Sequence, residues 1–375
     1  MSQIKPFRAS GGEPGDTLAV RFLEEGGQDE MQVAGWLAEF IDGARETLDL
    51  AVYDCRLSRE PAALLRDALG DRIAAGVRVR VVYDAGIKPQ SPGGLDTTGA
   101  DYAPLDTDYR VKELGLADEL TRGVTDFRGL MHHKYLVRDR EQVWTGSLNL
   151  TDDAMGRQEN LIVLLTSPSL ASLYTRDFDQ LWESGQIGVS GAFLTDPDTL
   201  RYDGQPASTD VDFSPGQGEQ INEWVAAKVM GARRRIVLCS MLLNSSKLLN
   251  ALTAQLDRGL IDFWGLFDGT QMAGVVGQWQ ERQDLAWKIA AVNRVITEGR
   301  LVGKQSTPYR PGGSHNFMHN KTLVVDDTVI TGSYNLSHSA QGNAENMLAI
   351  ESPALAERVV AYIRHLVERY GGRDD

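Results

Sequence analysis

Residues 131–151 read MHHKYLVRDREQVWTGSLNLT, and residues 318–337 read MHNKTLVVDDTVITGSYNLS. Both run His-x-Lys, four residues, Asp, then Gly-Ser-x-Asn. The first copy supplies His132, Lys134, Asp139, Gly146, Ser147 and Asn149. The second supplies His319, Lys321, Asp326, Gly332, Ser333 and Asn335, with the two histidines 187 residues apart. On a strand, side chains two apart share a face, so each His-Lys pair points one way. Asp139 and Asp326 fall where the chain must turn (RDREQ, DDT). The returning strand then brings serine and asparagine back beside the histidine and lysine. One hairpin thus gathers an imidazole, an ammonium, a hydroxyl and an amide.

The flanks repeat as well. Residues 30–54 have helical spacing followed by an apolar run, and residues 219–241 repeat that order. Helices over 62–76 and 247–259 follow, each ending at glycine and handing over to a strand, VRVRVVYDA (77–85) or IDFWGLFDG (261–269). Both closing helices open on Ser-Pro, at 167 and 352. Serine caps the free amides there, and proline is preset for the first turn. An internal duplication predicts an α/β protein of two similar lobes, each a mixed sheet flanked by helices. The boundaries expected are 18–187 and 219–372, with the Gly-, Pro-, Asp- and Ser-rich stretch 188–218 as linker.

The residue set suits a phosphate diester. Lysine neutralises non-bridging oxygens, while serine and asparagine donate hydrogen bonds to them. Two facing hairpins place two histidines on opposite sides of phosphorus, one to attack and one to protonate the departing oxygen. An imidazole pKa of about 6.5 makes both protonation states accessible near neutrality. Glu159-Asn160 and Glu345-Asn346 stand 27 and 26 residues after the respective histidine. Their carboxylates are the candidates for fixing a ring tautomer, by the logic of the serine-protease triad.

This doubled His-x-Lys-x4-Asp pattern resembles the signature of the phospholipase D superfamily, over nearly the whole chain. The resemblance implies lobes related by a pseudo-twofold axis, a site in the cleft between them, a covalent phosphohistidine and no metal or other cofactor. It implies His132 as nucleophile and His319 as general acid and later base. Lys134, Lys321, Asn149 and Asn335 become phosphate ligands, with Ser147 and Ser333 as lesser members. Asp139 and Asp326 become structural.

His133 should face away from the pair. His315 and His338 read either as substrate contacts or as ordinary loop histidines, and His365 as structural. Histidines clustered at the motifs also suggest zinc, but a lysine beside each one disfavours a cation there. A net charge of −14 is unusual for a chain that grips nucleic acid through its backbone. Cys55 and Cys239 lie in apolar runs and read as buried thiols, which fits a reducing cytoplasm. No secretory leader is expected from MSQIKPFRASGGEPGD, and no apolar window is long enough to span a bilayer.

For the substrate, GSLNLTDDAMGRQEN and GSYNLSHSAQGNAEN resemble the nuclease-like branch, so nucleic acid is expected ahead of phospholipid. Phospholipase D or phosphatidyl transfer is the alternative. A silent binding protein is the weakest reading, since both copies keep every motif residue. One chain carries both motifs, so a monomer suffices for one site.

Overall fold

The computed structural model describes residues 15–86, 106–125, 129–310 and 313–372. Within them fifteen strands form one sheet. From the second lobe's outer edge the order is Leu301–Lys304, Asp262–Asp268, Arg235–Ser240, Lys321–Val325, Thr328–Gly332, Glu345–Glu351 and Gln205–Ser214. It continues through Asp198–Tyr202 to Thr17–Leu23, Asn160–Thr166, Gln142–Gly146, Lys134–Arg138, Thr47–Val52, Arg78–Asp84 and Thr121–Val124. About the strand Asp198–Tyr202 the order is a palindrome of the duplicated elements, the pseudo-twofold written in hydrogen bonds.

The stretch 188–218 is therefore more than a linker. It holds a hairpin, Asp198–Tyr202 with Gln205–Ser214, turned by Asp203-Gly204 with both φ positive. Asp-Gly is a strong two-residue hairpin signal, and the alternation of polar and apolar residues after it suits a half-buried strand. Its turn-forming composition concealed that pattern. Gln205–Ser214 pairs with Glu345–Glu351 over seven residues.

One apolar core runs under both lobes, joining Tyr135, Tyr174 and Phe178 to Val324, Leu348 and Ile363. The closing helices Pro168–Ser184 and Pro353–Gly371 cover it, each capped as expected by the serine hydroxyl, on Leu170 N and Leu355 N. Two further cores, one per lobe, lie beneath the other helices. Cys55 and Cys239 are free, buried thiols. Among the described residues no helix is long and apolar enough to cross a membrane.

Candidate active site

Each motif folds into the hairpin its sequence describes. Lys134–Arg138 returns through Gln142–Gly146, and Lys321–Val325 through Thr328–Gly332. The turn aspartates Asp139 and Asp326 both have φ of 54°. Asp139 accepts the backbone amides of Arg45, Glu46 and Thr47 at 2.8–3.1 Å. Asp326 accepts those of Arg233, Arg234 and Arg235 at 2.8–3.1 Å. Both aspartates thus tie the hairpin to the strand entering the sheet beside it. Gly146 and Gly332 follow with φ of 131° and 135°, and a Cβ there would lie 2.0 and 2.3 Å from a backbone oxygen of the next strand. No side chain is tolerated.

The two histidines and two lysines are buried together. Lys134 Nζ donates to the His132 carbonyl at 2.6 Å, and Lys321 Nζ to that of His319 at 2.8 Å. Lys321 Nζ also lies 3.3 Å from His319 Nε2. Tyr53 packs edge-on against the His132 ring and under the Lys134 ammonium. Burial first, then the lysines, hold both imidazoles well below the usual histidine range. Burial and Lys321 likewise push Lys134 down.

The ring partners differ. His132 Nδ1 meets Glu345 Oε2 of the opposite lobe at 2.8 Å, and Asn343 donates to the other carboxylate oxygen at 3.0 Å. His132 Nε2 has no hydrogen-bond partner among the described residues. His319 Nδ1 meets the side-chain oxygen of Asn160 at 3.0 Å. Asn160 Nδ2 donates to the Ala154 carbonyl at 3.0 Å, which keeps its oxygen facing the ring. Both rings therefore carry hydrogen on Nδ1 and a lone pair on Nε2.

Glu159 reaches neither ring. Its carboxylate takes Lys304 Nζ at 2.7 and 3.0 Å and the Tyr370 hydroxyl at 2.5 Å. The expected role as a histidine partner is corrected here, and the cause is register. Gly146 pairs with Ile162, whereas Gly332 pairs with Met347. Asn160, not Glu159, is thus the counterpart of Glu345. The connector after the motif asparagine is one residue longer in the first copy, 150–159 against 336–344, and holds the α-helical segment Asp152–Gly156 where the second holds the 3-10 turn Ser339–Gln341.

The serines also differ from expectation. Ser147 Oγ donates to Asn160 Oδ1 at 2.8 Å and accepts from Leu161 N at 3.0 Å. Ser333 Oγ accepts from Asn346 N at 3.0 Å. The Ser147 hydroxyl is thus turned onto Asn160, while both serine oxygens hold the amide of the strand that follows. Among the described residues the amide oxygens of Asn149 and Asn335 have no hydrogen-bond partner.

Asp84 and Asp268 escaped sequence reasoning. Each ends a corresponding strand and accepts the amide of the methionine before the histidine, Met131 or Met318, at 2.8 and 2.9 Å. Burial raises Asp84 to about 6 and raises Asp268 as well. The signal was present, since VVYDA and GLFDG both carry this aspartate next to last.

His133 faces away, onto Asp177 and Ser190 at 3.0 and 3.2 Å. His315 is stacked between Tyr309 and Phe317. His338 is exposed, and His365 pairs with Glu24 at the surface.

A family model described as "Cardiolipin synthase, PLD-like domain" matches residues 37–182 and 225–367. A mitochondrial cardiolipin hydrolase of Chlamydomonas reinhardtii is 25% identical over 149 residues, 39% of this chain and 55% of the relative. A phospholipase D of Rickettsia bellii is 26% identical over 143 residues, 38% of this chain and 60% of the relative. The chain thus spans little more than half the length of these relatives. The structure of phosphatidylserine synthase from Haemophilus influenzae shares the fold, with a TM-score of 0.61 at 15% identity, covering 94% of this chain and 86% of that one. The family match takes in both hairpins and both lobes, and this chain belongs to the PLD-like domain family of the phospholipase D superfamily.

Proposed function

We propose that the chain is a phosphodiesterase working by two displacements at one site built from both lobes. The observation that carries this reading is His132, whose Nδ1 hydrogen is held by Glu345 while Nε2 stays unbonded among the described residues, beside two buried lysines. His132 Nε2 attacks phosphorus as the bond to the leaving oxygen breaks, and that oxygen takes a proton from protonated His319. The resulting P–N bond leaves a positive ring, which Glu345 stabilises. Neutral His319 then removes a proton from water, whose oxygen attacks phosphorus as the P–N bond breaks. Lys134 and Lys321 neutralise the non-bridging oxygens, with Asn149 and Asn335 as further ligands. The phosphate anion offsets the two ammonium charges, which restores the basicity of His319 when substrate is bound.

A phospholipid is the substrate class we put first, because the relatives bear phospholipid names. Sequence alone had favoured nucleic acid. One feature keeps that second reading: a groove of about 700 Å³ lined by Arg56, Arg59, Arg66 and Arg110, whose floor includes Thr151, two residues past Asn149. The stack of Tyr309, His315 and Phe317 begins beside its Ser314. Arginines with an aromatic face suit single strands, although Glu113, Asp152 and Asp153 also line the groove. The free thiols fit a reducing compartment.

The test is a metal-free assay with His132→Ala as blank, offering cardiolipin vesicles, phosphatidylcholine vesicles, single-stranded DNA and RNA. Head-group release that depends on His132 supports the first reading, and cleavage of a nucleic acid alone replaces it with the second. No His132-dependent cleavage of any diester defeats both.

A further inference from the structure

The duplication supplies an internal control for Glu159. By sheet register Glu159 corresponds to Ala344, and Lys304, paired with Asp268, corresponds to Val124, paired with Asp84. A buried ion pair thus occupies positions where the other half of the molecule has buried alanine and valine. Burying an ion pair carries a desolvation penalty that an apolar pair avoids. The His132 side shows that this fold closes without one.

Three short routes lead from Lys304 to His319. Lys304 binds Glu159, whose neighbour Asn160 holds the His319 ring. Lys304 pairs in the sheet with Asp268, which accepts the amide of Met318. Its ammonium also lies 3.1 Å from Glu25, and Asn316 donates to that carboxylate at 3.0 Å, three residues before His319. The Tyr370 hydroxyl closes the cluster on Glu159.

We infer that Lys304 and Glu159 are positioning residues for His319. An amide orients an imidazole less firmly than a carboxylate does, and His319 has the Asn160 amide oxygen and the Ser147 backbone in place of a carboxylate. The Lys304–Glu159 pair fixes the backbone on both sides of that contact and supplies the missing rigidity. This role rests on the two-histidine reading given above.

The test copies the other lobe's residues, in the double variant Glu159→Ala/Lys304→Val. Two readouts are taken: kcat and KM on bis(4-nitrophenyl) phosphate, and the ring ¹⁵N shifts of His319 without substrate, assigned with His319→Gln. KM should hold within about twofold while kcat falls about tenfold to a hundredfold, the scale of a misplaced catalytic group. The His319 ring should change from a single Nδ1–H tautomer to a mixture. A folded double variant with the parent's kcat overturns the proposal, and so does a fall in kcat with the tautomer intact. Tyr370→Phe, which removes one hydrogen bond, repeats the test at smaller amplitude should the double variant fail to fold. A parent that cleaves no diester defeats the proposed function, while the ring tautomer still decides the positioning role.

Discussion

Asn160 and Glu345 hold the same place in the two copies. Each opens the strand after its Gly-Ser-x-Asn, and each takes Nδ1 of the opposite lobe's histidine, at 3.0 and 2.8 Å. One is an amide and the other a carboxylate, so a duplicated framework holds two unlike imidazoles. In the proposed mechanism the carboxylate on His132 stabilises the cation formed when Nε2 is phosphorylated.

Glu345→Gln should therefore lower kcat by about 10²- to 10⁴-fold with little change in fold, since a neutral partner weakens both tautomer control and charge stabilisation. Asn160→Ala should cost less, because it removes a neutral hydrogen bond of about 1 kcal/mol. Single-turnover rates of phosphorylation and of hydrolysis separate the two. Equal losses would contradict the division of labour between the rings.

His132→Ala and His319→Ala should each remove turnover, and the double variant should be no worse than either single one, since the two act as a unit. Comparison of kcat/KM across the three variants checks this. Losses that multiply would mean independent roles.

The turn aspartates should behave oppositely. Asp139→Ala or Asp326→Ala deprives three backbone amides of an ionised acceptor and should cost about 2 kcal/mol or more of stability. Denaturant unfolding measures the loss, and kcat of the folded fraction should stay within roughly twofold. A catalytic defect in a fully folded variant would bring these residues into the chemistry.

Stability should also depend on pH with a defined sign. The two buried imidazoles are held below the ordinary value of about 6.5, so under that pH the unfolded chain binds protons the native chain refuses. The contribution of the two imidazoles is then complete above about 6.5 and falls as pH drops through the window beneath it. Asp84, raised to about 6, works the other way, because its native form keeps a proton that the unfolded form loses above about 3.9. Asp84→Asn should therefore steepen the loss of stability between about pH 6 and 4, and His319→Gln should flatten it. Thermal midpoints over that range test both signs.

Activity should survive excess EDTA, because in the proposed mechanism the buried ammonium groups beside both rings, rather than a metal ion, offset the charge of the phosphate. Loss of turnover restored by a divalent ion would overturn that reading.

Much of this was legible in the sequence. Spacing alone places His132 and Lys134, or His319 and Lys321, on one face, and the Asp-led turns dictate a hairpin. What stayed hidden depends on distances of a single residue. Glu159-Asn160 and Glu345-Asn346 match in sequence, yet a connector one residue longer in the first copy exchanges the residue that faces the histidine. Lys304 belongs to no motif, and only the pairing of its strand with Asp262–Asp268 brings it to the site. Residues 188–218 looked like a connector because turn formers dominate, while their alternation carried the strand signal.

The central sheet and the core shared beneath it have a consequence for how either half could exist alone. Tyr174 accepts a hydrogen bond from Asn346 of the other lobe, Tyr135 and Phe178 belong to the core that also holds Val324 and Ile363, and Gln205–Ser214 seals the seam. A half-length chain would expose that surface to water and would need a second half to cover it. The doubled gene product can be regarded as a dimer made permanent, in which covalent linkage freed each half to mutate separately. Two identical halves would carry the same residue at both places, whereas one chain carries a carboxylate at one and an amide at the other.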